Sequence, residues 1–143
     1  MMSKGVLENL YHVAIAVNSI DEVEKIYETA LGLKVAHREV VEDQKVKTSM
    51  LLPEKGGSAI ELLEPLSGDS PISKFLEKRG EGIHHICFAV DNIELALERL
   101  RKEGVRLIDE TPRIGAYNAK VAFIHPKATN GVLIELAELS EEE

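Results

Sequence analysis

The chain repeats itself, and the repeat constrains the fold more than any other feature of the sequence. His12-Val13-Ala14-Ile15-Ala16-Val17 and His85-Ile86-Cys87-Phe88-Ala89-Val90 each read as a histidine followed by five apolar residues, and the two histidines lie 73 residues apart. Ile60-Glu61-Leu62 recurs as Ile134-Glu135-Leu136 at a separation of 74, and Pro53 recurs as Pro126 at 73. A glycine precedes each glutamate, at Gly57 and Gly131. Features that keep one offset to within a residue mark two related modules, about 6–65 and 80–139, joined by residues 66–79. At 143 residues there is length for one domain and too little for two ordinary ones, so the modules are expected to be halves of a single domain, 1–143.

Each module reads as strand, helix, then three strands. Residues 10–17 and 84–90 are rich in Val and Ile and read as strands. Asn18 with Asp21, and Asp91 with Glu94, then signal helix starts. Val23, Ile26, Tyr27 and Ala30 follow the helical period, as do Ile93, Ala96, Leu97 and Leu100, and Gly32 and Gly104 stand at helix C-terminal positions. Strands are expected at about 34–41, 45–52 and 58–63, and again at 105–109, 119–125 and 132–137. In the linker, Ser70-Pro71 caps a short amphipathic helix carrying Ile72, Phe75 and Leu76. The acidic tail Ser140–Glu143 is expected to fray.

Strand side chains alternate between faces. The bulky face of each first strand (Val13, Ile15, Val17; Ile86, Phe88, Val90) is the natural packing surface for that module's helix. The other face carries His12, Ala14 and Ala16, or His85, Cys87 and Ala89, and its small residues are expected to line a cavity. A carboxylate inside an apolar strand is costly unless partnered. Two imidazoles and two carboxylates at equivalent positions, His12, Glu61, His85 and Glu135, suit one divalent metal in an octahedral site with open water positions. The competing reading is two buried His–Glu ion pairs. His84, on the face opposite His85, is read as structural, and so are His37 and His125, which have no counterpart in the other module.

Composition narrows the function classes. With 44% hydrophobic and 29% charged residues this is an ordinary globular mixture. No apolar run reaches the length of a membrane-spanning helix. Met1-Met2-Ser3-Lys4-Gly5 opens no apolar segment of the kind that begins a signal peptide. Cys87 is the single cysteine, which excludes an intrachain disulfide and points to a reducing, cytoplasmic setting. A net charge of −8 argues against nucleic acid or an anionic membrane as partner, while leaving room for a small anionic ligand held by local cations. Lys74, Lys78, Arg79, Arg113, Lys120 and Lys127 are the candidates. There is no phosphate-binding or dinucleotide glycine pattern.

Several stretches carry a resemblance to a known family: Leu10-Tyr11-His12-Val13-Ala14, Ile60-Glu61-Leu62-Leu63-Glu64-Pro65-Leu66, Ser70-Pro71-Ile72-Ser73-Lys74-Phe75-Leu76, Gly82-Ile83-His84-His85-Ile86, His125-Pro126-Lys127 and Gly131-Val132-Leu133-Ile134-Glu135-Leu136. Over nearly its full length the chain resembles the vicinal oxygen chelate superfamily and, within it, the methylmalonyl-CoA epimerases. The resemblance implies an α+β fold of two paired βαβββ modules forming an eight-stranded, cup-shaped sheet around one metal site. The family's ligands fall on His12, His85 and Glu135, and Glu61 stands where the family often has Gln. That His, Glu, His, Glu set is also the one used by the glyoxalase I type of lactoylglutathione lyase, which is the alternative reading. Thr48 stands where some epimerases carry a proposed catalytic Glu, with Glu42 and Gln44 as nearby stand-ins.

The resemblance further implies interconversion of the C2 epimers of methylmalonyl-CoA, an acyl-CoA substrate, through a metal-stabilised enolate. Cobalt is expected first, with nickel, zinc, manganese and magnesium as alternatives, and a homodimer is expected. The C2 proton lies between a thioester and a carboxylate, and epimerisation needs an acid and a base on opposite faces of the planar intermediate. Glu135 and Glu61 are the expected pair.

Overall fold

The computed structural model describes residues 4–140; Met1–Ser3 and Glu141–Glu143, on which the expectations for the N-terminal start and the acidic tail partly fall, lie outside the described residues. The elements run β1 (Leu7–Ala16), α1 (Ile20–Thr29), β2 (Lys34–Val41), β3 (Val46–Leu52), β4 (Ala59–Pro65), α2 (Pro71–Arg79), β5 (Gly82–Val90), α3 (Ile93–Lys102), β6 (Arg113–Ile114), β7 (Lys120–Ile124) and β8 (Ile134–Glu138). This is the α+β, twice-βαβββ order that the repeat predicts, with α2 as the linker helix. Among the described residues no helix is long and apolar enough to cross a membrane.

Two compact units divide the chain, one of His12–His84 and the other joining the residues before His12 to those from His85 onward. In the His12–His84 unit the strand order is β2-β3-β4-β1, with β1 parallel to β4 and the other neighbours antiparallel. In the other unit it is β5-β8-β7-β6, with β5 parallel to β8 and the rest antiparallel. The pattern is therefore the same twice over.

The bulky strand faces do pack on the helices. Val17, Ile20, Leu51 and Leu62 form one core with Ile15, Val23 and Tyr27, and Val90, Ile93, Ala96, Leu97, Ala122 and Leu136 form its counterpart on α3. The small-residue faces differ from expectation. Ala14 and Ala16 are fully buried and packed with Val46, Leu63 and Ile72, while Phe75 and Leu76 of α2 cover them. Cys87 is likewise packed with Ala119, Val121, Ala137 and Tyr11. Small side chains here let neighbouring elements approach closely instead of leaving a void.

Helix starts lie one residue beyond the expected caps. Ser19 accepts from the Glu22 amide at 3.3 Å, and Asn92 accepts from the Leu95 amide at 3.0 Å. Asp91 is occupied elsewhere, its carboxylate accepting from the amides of Gly5 at 3.1 Å and Lys4 at 3.3 Å. The first helical amides of α1 and α3 are each taken by a glutamate: Ile20 donates to Glu64 at 2.8 Å and Ile93 to Glu138 at 2.9 Å. Anionic partners at helix N-termini satisfy orphan donors and favour the dipole. Gly32 and Gly104 close the helices at positive φ, as expected.

The strand expected at 105–109 is reduced to one bridge, Leu107 with Ile124. Ile108 and Asp109 both donate to the same Phe123 carbonyl, and the Asp109 side chain accepts the Phe123 amide at 2.8 Å. A side chain thus takes the place of the backbone ladder there. The two-residue β6 pairs with β7 instead.

One buried ion pair ties α1 to the sheet. Glu24, 5% exposed, accepts from Arg38 Nε and Nη2, both at 2.8 Å, and from Ser49 Oγ at 2.5 Å. The Arg38 bond, aided by Ser49, outweighs desolvation and holds the Glu24 carboxyl below its ordinary range.

Candidate metal and active site

His12 and Glu61 come together through the parallel pairing of β1 with β4. Ala14 lies opposite Glu61 in that ladder, so His12 stands two residues before the residue facing the glutamate, on the same face. Its Nε2 is 3.2 Å from Glu61 Oε1, and both residues are 4% exposed. The other unit repeats this register. Cys87 lies opposite Glu135 in the parallel pairing of β5 with β8, His85 stands two residues before it, and His85 Nε2 is 3.0 Å from Glu135 Oε1. His85 is buried, and the Glu135 side chain is 12% exposed against 6% for Glu61.

Each unit thus supplies one imidazole nitrogen and one carboxylate oxygen in contact. Two atoms bound at right angles to one ion, each at about 2.1 Å, stand about 3.0 Å apart. The observed spacings of 3.2 and 3.0 Å match that edge of an octahedral shell. Nitrogen from imidazole and oxygen from carboxylate suit a borderline divalent ion. The residues present therefore fit a metal.

The surroundings of the two pairs differ. Phe123, opposite Glu135 in the β7–β8 ladder, sets its ring edge-to-face against His85, with centroids 5.3 Å apart. Beyond it the Arg113 guanidinium lies 5.7 Å from the Phe123 centroid, and its Nε is 3.4 Å from Asp109 Oδ1. Phe123 and Asp109 have no counterpart among the residues expected from sequence, although the strand alternation of Phe123 with Val121 is a signal that puts it on the face of Glu135. In the other unit Thr48 is 2% exposed, flanked in the ladder by Glu39 and Leu63, and its hydroxyl donates to the Glu39 carbonyl at 3.4 Å. Glu42 and Gln44 fall in a one-turn 3-10 segment after β2, off the strand that carries Thr48.

The remaining histidines do structural work. His84 stacks edge-on against Phe75 at 5.0 Å, and His37 contacts Glu39 at 3.3 Å on an exposed edge. His125 Nδ1 accepts from the Lys127 amide at 3.0 Å, capping a 3-10 turn. Desolvation, with Arg106 and Lys127 nearby, lowers its pKa. Among the cations, Lys120 points to the helix face and meets Glu94 of α3 at 3.5 Å, and Arg79 sits over Phe75 at 5.8 Å.

Comparison with known proteins places this geometry among relatives. The profile of the glyoxalase/bleomycin resistance protein/dioxygenase superfamily matches residues 11–123. An uncharacterised Bacillus subtilis protein, YqjC, is 46% identical over 92% of this chain and 93% of its own length. The mitochondrial methylmalonyl-CoA epimerase of Dictyostelium discoideum is 44% identical over 90% of this chain and 77% of its own. Among solved structures, methylmalonyl-CoA epimerase from Mycobacterium tuberculosis superposes with a TM-score of 0.93 at 39% identity, covering 99% of this chain and 95% of that one. A Streptomyces coelicolor methylmalonyl-CoA epimerase variant, in complex with 2-nitronate-propionyl-CoA, gives 0.88 at 37% identity over 94% of this chain and 99% of that one.

Proposed function

Since the chain belongs to the methylmalonyl-CoA epimerase family, within the glyoxalase/bleomycin resistance protein/dioxygenase superfamily, we propose that it interconverts the two C2 epimers of methylmalonyl-CoA. The observation that carries this reading is the His–Glu pair formed twice in one register, His12 with Glu61 and His85 with Glu135. Identity near 40% to named epimerases over nine-tenths of the chain favours this activity over the lactoylglutathione lyase alternative.

The ligand set we propose for one divalent metal is His12, Glu61, His85 and Glu135. When bound, the ion supplies Lewis-acid stabilisation of the negative charge that gathers on the thioester oxygen as the C2 proton leaves. The ion we assign is cobalt, ahead of nickel, zinc, manganese and magnesium; a mixed imidazole and carboxylate donor set supports a borderline ion. Glu135 takes or returns the C2 proton on one face of the planar intermediate and Glu61 does so on the other. The greater exposure of the Glu135 side chain supports its role as the more accessible base. The lone buried thiol of Cys87 supports a reducing, cytoplasmic setting, and the family resemblance supports a homodimer.

The test is C2 deuterium exchange. Purified protein stripped of metal and reloaded with each ion in turn is incubated with (2R)- and (2S)-methylmalonyl-CoA in deuterated water. Exchange and epimerisation are expected only after reloading, with no turnover of the glutathione–methylglyoxal hemithioacetal. Turnover of the hemithioacetal without C2 exchange would replace the epimerase with the lyase.

A further inference from the structure

The unit that begins again at His85 carries a cation placed on the ligand face. Arg113 pairs with Val121 across β6 and β7, Val121 pairs with Ala137 across β7 and β8, and Phe123 pairs with Glu135. Residues directly opposite in an antiparallel ladder share a face, and so do residues two apart along a strand. Arg113, Val121, Phe123, Glu135 and Ala137 therefore all project from one face, the face of His85. The ring geometry agrees: guanidinium over Phe123 at 5.7 Å, Phe123 edge-on to His85 at 5.3 Å. Of the three cations that sequence reading offered in this module, Lys120 has turned to α3 and Lys127 lies in the turn after β7.

The guanidinium is held in place but not used up. Asp109 meets it through Nε at 3.4 Å, a loose contact, and the other Asp109 oxygen is anchored to the Phe123 amide at 2.8 Å. Among the described residues that leaves the two Nη groups of the fork, and the Arg113 side chain is 42% exposed. An arginine so oriented, by a ring beneath and a carboxylate behind, is preorganised for bidentate contact with an anionic oxygen pair. A chain of net charge −8 that takes an anionic thioester needs such a local cation.

We propose that Arg113 is a substrate-binding residue that grips an anionic group of the acyl-CoA, held toward it by Phe123 and Asp109. The proposal rests on the epimerase reading. Substrate anions of two kinds share this chemistry, the acyl carboxylate and the coenzyme A phosphates.

Arg113→Gln and Arg113→Lys are compared with wild type on methylmalonyl-CoA and on the methylmalonyl thioester of pantetheine, which keeps the carboxylate and lacks the coenzyme phosphates. Propionyl-CoA, with phosphates and no carboxylate, is titrated as an inhibitor. Arg113→Gln is expected to raise KM for methylmalonyl-CoA about 10- to 100-fold, as for a lost charged hydrogen bond, with kcat nearly unchanged and partial rescue by Lys. A parallel rise with the pantetheine thioester assigns the acyl carboxylate; weakened propionyl-CoA inhibition alone assigns the phosphates. A KM for methylmalonyl-CoA within about twofold of wild type, even with a lowered melting temperature, overturns the proposal and makes Arg113 a structural partner of Asp109. Calorimetric titration of methylmalonyl-CoA runs alongside. Binding without turnover by wild type sinks the epimerase reading and leaves the Arg113 comparison to be read as affinity, and no binding sinks both.

Discussion

Glu61 and Glu135 hold the same place in their ladders, and that register suits a carboxylate for holding a metal, for moving a proton, or for both. Replacing Glu61 by Gln keeps an oxygen donor 3.2 Å from His12 and removes the proton-transfer function. The expected outcome is metal retained by elemental analysis, epimerisation slowed by about 10²- to 10⁴-fold, and C2 deuterium exchange surviving for one epimer. Wild-type epimerisation in this variant would leave Glu61 a ligand only. At this scale the sequence was legible where chemistry is costly to bury: a carboxylate in an apolar strand demands a partner, which singled out His12, Glu61, His85 and Glu135 as a set, while the pairing of His12 with Glu61 and of His85 with Glu135 had stood only as the competing reading. It was less legible where side chains are small. Ala14 and Ala16 look identical whether they face a cavity or the underside of α2, and only the packing of Ile72 and Phe75 decides.

Elements are held by contacts with no periodic signature. Arg38 and Ser49, from β2 and β3, converge on Glu24 of α1, which reads in sequence as one more exposed helical charge. Replacing Glu24 by Gln is expected to cost about 2 kcal/mol near neutral pH, in line with charged hydrogen bonds, measured by urea unfolding. Because the folded pKa lies below the ordinary 4.5, the carboxylate's contribution is complete above that value and lost as pH falls through the folded one. The gap between wild type and Glu24→Gln should therefore narrow on acidification below about 4.5, and a gap that stays constant to pH 3 would contradict the ion pair. The short β6 and the collapse of 105–109 to one bridge were illegible for a related reason, since the Asp109 carboxylate replaces a ladder bond and no propensity records that.

For the molecule as a whole, the repeat makes the order of elements legible and leaves the strand ends to the packing. It also makes a test of metal stoichiometry. If the proposed single ion is held by His12, Glu61, His85 and Glu135 together, it would stabilise the folded chain by mass action, about 2.7 kcal/mol at a hundredfold excess over Kd, or a rise in Tm of several degrees for a chain of this size. His12→Ala and His85→Ala are each expected to abolish the whole rise; half lost in each would mean two separate ions. The helix-capping glutamates carry a different message. Glu64 and Glu138 follow Glu61 and Glu135 by three residues, point to the reverse face, and close on the first amides of α1 and α3. A shared need to hold a cation would account for matched ligands and not for matched caps on the side away from them. Matched caps beside matched His–Glu pairs carry the repeat to the side of each sheet that faces its helix, so the two modules correspond in how they fasten α1 and α3 as well as in how they present their imidazoles and carboxylates.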